Sequence, residues 1–337
     1  MLPELRVPVV AAPMAGGPST PRLVAAVSSA GGLGFLAAGY KTADRVRSEI
    51  AEVRAVSGEQ PFGVNIFLPG RPAPDPDAVL RYRDRLRPLA VRLGVEPGEP
   101  RWDDDDLDAK IEAVAGVPVV STTFGCPSER LVGRLNAAGS SVLATVTTVD
   151  EARQAAAVGV DGLWVQGPEA GAHRGGFTDE PGTDEPLPLL ELVRGVRSAT
   201  DLPLYAAGGL MNGRDIIAAI AAGASAGGLG TAFLACPEAG THPTHRAALT
   251  DRRFQRTAVT RAFTGRPARA LVNSFLTEHD AVAPRGYPEV HHVTRPLRTA
   301  AAAAGDADNL HLWAGQGWQR LRPQPAADLV RLLHSEM

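Results

Sequence analysis

Eight short apolar runs recur between residues 7 and 233, each followed by a stretch carrying helix start and stop signals. The runs lie at 7–14, 33–38, 62–68, 117–124, 141–146, 162–166, 202–207 and 226–233. Parallel strands need a crossover long enough to hold a helix, so this alternation predicts consecutive βα units around a parallel sheet. Eight units are the number at which such a sheet closes. The pattern therefore predicts an α/β chain whose residues 1–240 form a TIM (β/α)8 barrel.

Local punctuation supports the helices. Thr20-Pro21 supplies an N-cap and a first-turn proline before the stripe Leu23, Val24 and Val27, and Gly31-Gly32 ends it. Thr148-Val149-Asp150-Glu151 has capping-box spacing and Gly159 closes that helix. Asn212 precedes Ile216, Ile217 and Ile220, with Gly223 as the stop.

Two segments break the rhythm. Residues 69–107 are rich in proline, arginine and aspartate and read as a solvated insertion with one helix over 78–93. Asp103–Asp106 read as a charged surface cluster, since four consecutive aspartates do not converge on one metal ion. Residues 241–310 show helical patches and no clear strand pattern, and are expected to form a smaller appended subdomain on the substrate side of the barrel. Residues 311–337 read as a loop returning to the site and a C-terminal helix carrying Leu329, Leu332 and Leu333.

Composition removes several function classes. The 34 Lys and Arg residues are scattered and offset by 37 Asp and Glu, for a net charge of −3, which is a poor surface for nucleic acid. Cys126 and Cys236 allow at most one disulfide, and no spacing suits a metal site. No run of about 18 apolar residues occurs, and the first residues lack the pattern of a secretion signal. A cytoplasmic chain with no membrane partner is expected.

In a parallel barrel the chemistry sits just after the strands. Strand one ends in Pro13 and Met14, strand three carries Asn65, and strand six runs through Gln166 into Gly171, Ala172 and His173. Strand seven ends in Gly208 and Gly209, and strand eight in Gly228, Leu229, Gly230 and Thr231. Glycines after the last two strands suit a phosphate held on backbone N–H groups, with the Thr231 hydroxyl as a further donor. Asn65 and Gln166 read either as amides for the donor and acceptor edge of a ligand ring or as buried structural amides. His173 lies among glycines that offer little packing, which favours a proton-transfer role over a core role. Arg174 reads as a loop-orienting or anion-holding residue or, equally, as a surface salt-bridge partner, and Glu169 as an acceptor for loop N–H groups. His242, His245, His291 and His292 read as surface residues, and Cys126 as a packed thiol.

As a set, Ala12-Pro13-Met14-Ala15-Gly16-Gly17, Gly63-Val64-Asn65, Gln166-Gly167, Glu169 to Gly175, Ala206-Ala207-Gly208-Gly209, Gly230-Thr231-Ala232-Phe233, Phe263 to Arg269 and Trp313-Ala314-Gly315-Gln316 resemble the nitronate monooxygenases, also called 2-nitropropane dioxygenases. The likeness runs over nearly the whole chain. It implies a barrel with a smaller second domain, noncovalent FMN and a histidine beside it. Carried across by position, Pro13, Met14, Asn65, Gln166, Gly171, Gly208, Gly209, Gly228, Leu229, Gly230, Thr231, Trp313 and Gln316 would hold FMN, and His173 would be catalytic. The implied reaction oxidises an alkyl nitronate, or a nitroalkane, with O2 to a carbonyl compound and nitrite. His173 would act as a base or as an anion stabiliser. Two positions depart from the family: Ala172 stands where a second glycine is usual, and Gly228 where glutamine is common. The alternatives are an FMN-dependent enoyl-acyl-carrier-protein reductase, an NAD(P)H:quinone reductase, and a barrel that binds a phosphate ligand without redox chemistry.

Overall fold

The computed structural model describes residues 2–180 and 185–337. In chain order, β1 (Val9–Ala11), β2 (Leu33–Ala37), β3 (Phe62–Phe67), β4 (Val119–Thr123), β5 (Ser141–Val146) and β6 (Gly162–Gln166) are followed by a two-residue strand, β7 (Ala172–His173), and then by β8 (Leu204–Ala207) and β9 (Ala226–Leu229). All but β7 close into one parallel barrel, with β9 pairing back to β1 through Val10 and Gly228. The eightfold alternation thus appears as a TIM barrel. Strand β9 is shorter than the apolar run suggests, because Thr231–Phe233 turns into a 3-10 helix whose Ala232 and Phe233 are also buried. An apolar run shows burial and does not separate a strand from a short helix.

Side chains alternate across each strand, so one set fills the barrel and the other meets the helices. Val10, Leu33, Phe35, Val119, Leu143, Trp164, Tyr205 and Ala226 form the inner cluster. Val9, Val64, Ile66, Val142, Val165 and Ala206 belong to the larger outer one, which includes helix residues such as Leu23, Val24 and Val27. The predicted caps are in place: Thr20, Thr148 and Asn212 accept from the N–H groups of Leu23, Glu151 and Asp215.

The insertion differs from its reading as a solvated excursion. Its helix is two, Pro76–Arg85 and Arg87–Leu93, interrupted where Pro88 removes an N–H. Val79, Tyr82, Leu86 and Leu89 pack in one cluster with Phe263, Phe275, Val290 and Leu297 of the appended region. The surrounding arginines hid a buried stripe of helical period. The region 241–310 also contains two strands, β10 (Thr257–Thr260) and β11 (Ala268–Leu271), which pair antiparallel. Strand β11 then pairs with β7, setting Ala268 opposite His173 and Arg269 opposite Ala172. An isolated bridge joins Ala270 to Trp313. The appended region is therefore stitched to the loop that follows β6, and the insertion packs on the appended region. Among the described residues, no helix is long and apolar enough to cross a membrane.

Candidate active site

A cavity of about 840 Å³ opens over the carboxyl ends of the strands and is roofed by residues of the helix Glu289–Ala303. That volume suits a cofactor or a drug-sized ligand. Pro13, Met14 and Asn65 line one side, and Gln166, Gly171, His173 and Trp313 another. Gly208, Gly209, Gly228, Gly230 and Thr231, after β8 and β9, line it as well. Two expected residues lie elsewhere. Leu229 belongs to the outer core, because alternation turns its side chain away from the barrel interior. Gln316 is exposed, and its backbone N–H donates to the Glu169 carbonyl at 3.0 Å.

The two amides have different tasks. Asn65 Nδ2 donates to the Ser121 carbonyl and to the hydroxyls of Ser121 and Thr123, at 2.9 to 3.2 Å, which turns Oδ1 toward the cavity. A carbonyl only accepts, so this amide orientation is fixed. Gln166 uses both ends on the histidine loop: Nε2 donates to the His173 carbonyl at 3.0 Å, and Oε1 accepts from Gly175 N–H at 2.8 Å. Arg174 orients the same loop by donating to the carbonyls of Gln166 and Thr147. Glu169 accepts from Leu189 N–H at 3.0 Å, as anticipated for a loop organiser. Arg266, buried beneath the loop, donates to the carbonyls of Arg174 and Gly176 and stands 4.2 Å over the Phe124 ring.

His173 is held by an oxygen. Its Nε2 lies 2.9 Å from Thr264 Oγ1, which is 3.3 Å from the Arg266 carbonyl. Thr264 has one hydroxyl proton, and the arrangement satisfying both contacts sends it to the carbonyl while His173 Nε2–H donates to Oγ1. The Nδ1 lone pair is then free on the cavity side. Phe124, Tyr287 and Trp313 surround the imidazole at 5.5 to 5.6 Å between ring centres. Burial first, and then the positive charges of Arg266 and Arg298, push its pKa down to about 3. The ring is neutral at neutral pH.

Ala172 has a φ of 62°, a left-handed conformation that costs a residue with a Cβ about 1–2 kcal/mol. The ladder to β11 and the Gln166 clamp hold it there. Gly171 has no such freedom to change, since a Cβ would come 2.5 Å from Gly315 N where the returning loop crosses. Thr231 Oγ1 accepts from that same Gly315 N–H at 2.9 Å, leaving its own proton to donate.

Gly228 has a steric cause. A Cβ there would lie 2.1 Å from Trp164 Cζ3, and Trp164 is wedged edge-on between Phe35 and Tyr205. The indole occupies the room that a side chain at 228 would need. Gly228→Ala is expected to cost about 1–3 kcal/mol by overpacking, read as a lower thermal midpoint, and adding Trp164→Phe should recover most of it. A midpoint unchanged by Gly228→Ala alone would refute the steric coupling.

Several site residues were not legible beforehand. Tyr40, Phe124, Thr264, His291, Arg298 and His311 all line the cavity. His245 and His291 are 7% and 6% exposed, which corrects the reading of both as surface residues. His245 Nε2 donates to the Trp313 carbonyl at 3.0 Å, and the His291 ring stacks on Tyr40 at 4.2 Å and 2°. His292 is half-buried and pairs with Asp103 at 2.8 Å, while His242 is exposed. Asp105 accepts from Tyr40 N–H at 3.1 Å and pairs with the buried Lys110 at 2.7 Å, so the acidic cluster secures the Tyr40 turn. Cys126 is part-buried and does not line the cavity. Among the described residues no group of side chains could hold a metal ion.

Comparison with known proteins gives consistent relatives. A family described as nitronate monooxygenase matches residues 3–336. A nitronate monooxygenase from Pseudomonas aeruginosa is 41% identical over 98% of this chain and 96% of its own length. Among solved structures, a nitroalkane oxidase from Streptomyces ansochromogenes is 50% identical with a TM-score of 0.94, covering 98% of this chain and 96% of that one. FabK from Thermotoga maritima is 27% identical with a TM-score of 0.76, covering 98% and 93%.

Proposed function

The chain belongs to the nitronate monooxygenase family, and from that premise we propose that it holds FMN without a covalent link and oxidises alkyl nitronates with O2 to carbonyl compounds and nitrite. The observation that carries this reading is a neutral histidine with its Nδ1 free on the wall of a cavity large enough for both a flavin and a small substrate.

The lining residues fit such a cofactor. Asn65 Oδ1, unused by the protein, would accept from a ring N–H. Gly208 and Gly209, with φ of 140° and 70°, and Gly230 would bring bare backbone against a phosphate, with the Thr231 hydroxyl as donor. Bound FMN would supply the two-electron oxidation and the delivery of electrons to O2. The protein contributes position and proton handling. Neutral His173 can take the carbon-bound proton of a nitroalkane on Nδ1, and the anion so formed beside it raises its basicity as the proton arrives. It carries no positive charge to offer a nitronate. Phe124, Tyr287 and Trp313 shield the ring from water.

Purified protein should show a flavin spectrum. Under anaerobic conditions ethyl nitronate should bleach it and NADH should not, and in air nitrite should accumulate. Protein that stays colourless after incubation with FMN would end the flavin reading. Rapid bleaching by NADH or NADPH would instead favour one of the reductase alternatives on the same fold.

A further inference from the structure

Part of the cavity lining consists of hydrogen-bond donors around one buried cation. Arg298, 6% exposed on the helix Glu289–Ala303, donates Nε to Thr294 Oγ1 at 3.1 Å and Nη2 to the His291 carbonyl at 3.0 Å. Nη2 also contacts His291 Nδ1 at 3.2 Å. A guanidinium only donates, so His291 Nδ1 accepts and its proton resides on Nε2. Arg298 Nη1 and His291 Nε2 have no protein partner among the described residues. Tyr40, stacked on His291, accepts at its hydroxyl from Tyr287 at 3.0 Å, which frees its own proton to donate.

The charge balance of the cavity is one-sided. No aspartate or glutamate is among its described lining residues. Lys41 is paired with Glu49 at 2.6 Å, and Arg295 is exposed at the rim. Arg298 is the buried cation of the lining, and no carboxylate lies within ion-pair distance of it among the described residues. Burial lowers its pKa only to about 10, so it keeps its proton at neutral pH, while burial holds His173, His245, His291 and His311 neutral. A desolvated, unpaired cation is costly unless an anion arrives to complete it.

We propose that Arg298 Nη1, His291 Nε2–H and Tyr40 O–H form an oxyanion recess that takes the two oxygens of the nitronate group, making Arg298 the residue that selects the anionic substrate over its neutral nitroalkane. This rests on the nitronate reading above. The charged Nη1, with the neutral His291 and Tyr40 donors, matches two oxygens sharing one negative charge. It also divides the labour of the site: Arg298 holds charge, and His173 handles protons.

The test uses the FMN-loaded enzyme with ethyl nitronate, neutral nitroethane, and nitrate as an unreactive planar oxyanion. Losing a charged hydrogen bond, Arg298→Met should raise the KM for ethyl nitronate about tenfold to a hundredfold with a much smaller change in kcat. The KM for nitroethane should stay near wild type, and Arg298→Lys should recover most of the loss. Nitrate should perturb the wild-type flavin spectrum saturably and compete with ethyl nitronate, and in Arg298→Met it should need at least about tenfold more. A KM and a nitrate affinity both within about twofold of wild type would overturn the recess, because a charged contact is worth more than that. So would a folded Arg298→Met that no longer retains FMN, which would assign the arginine to the cofactor. If Arg298→Met does not fold, Tyr40→Phe decides, since it removes one donor and keeps the stack on His291: a severalfold weaker nitrate affinity supports the recess and an unchanged one overturns it. If the wild type oxidises neither substrate, the proposed function fails, and the nitrate titrations still decide the recess.

Discussion

His173→Asn is expected to keep FMN bound and to lower turnover of nitroethane by about 10²–10⁴, the usual worth of a positioned general base. The cofactor contacts assigned above do not use the imidazole. The loop is held through its backbone, by the β7–β11 ladder and by Gln166 on the His173 carbonyl. Asparagine can still donate to Thr264 and stay in the loop, but it has no lone pair able to receive a proton from carbon. Ethyl nitronate arrives already deprotonated, so its oxidation should fall much less than that of nitroethane. Flavin absorbance of the purified variant checks the binding, and steady-state nitrite release from the two substrates checks the chemistry. Near-normal nitroethane turnover would remove His173 from proton transfer, and equal losses on both substrates would give it a role in oxidation.

The barrel was legible because each βα unit announces itself locally. Thr20, Thr148 and Asn212 cap the helices whose starts they mark, and the apolar runs coincide with strands because a parallel strand is buried on both faces. The residues after the strands were legible for the same reason, since the fold fixes which end of each strand meets the ligand. Residues from elsewhere were not. Arg298 lies on a helix whose alanines and arginines look solvated, and its place above the cavity depends on the packing of Leu297 and Val293 against Tyr82 and Leu86 from a distant insertion. Thr264 stands in a sequence motif that resembles the family, yet its hydroxyl reaches His173 only because β11 pairs with β7. Gly228 was misleading for a third reason. It marks the far side of Trp164, and the glycine has meaning only once the indole is in place.

Mild acid should destabilise the ligand-free fold more than any single substitution proposed above. Burial lowers the pKa of His173 to about 3 and of His245 to about 4, and puts His291 and His311 well below the ordinary 6.5. Each is neutral when folded and free to protonate near 6.5 when unfolded. Between those two values the unfolded chain binds more protons, so stability falls as pH drops through 6.5 and stops falling only below the folded pKa values. Each such group loses about 1.4 kcal/mol per pH unit in that window. His173 and His245 at pH 5, discounted by half for water reaching them through the cavity, cost about 2–4 kcal/mol, and His291 and His311 act in the same direction, against the usual 5–15 kcal/mol of a folded domain. Asp105 opposes the trend, because burial raises its pKa from an ordinary carboxylate value. The thermal midpoint of the apoprotein should therefore fall by about 5 °C or more from pH 7 to pH 5, and His245→Asn should flatten that slope. A midpoint that is level or rising over this range would contradict the buried neutral histidines. The same values separate two causes of lost activity: His173 is still neutral at pH 5, so inactivation there should track unfolding of the chain and should be reversed by FMN, which binds the folded state alone.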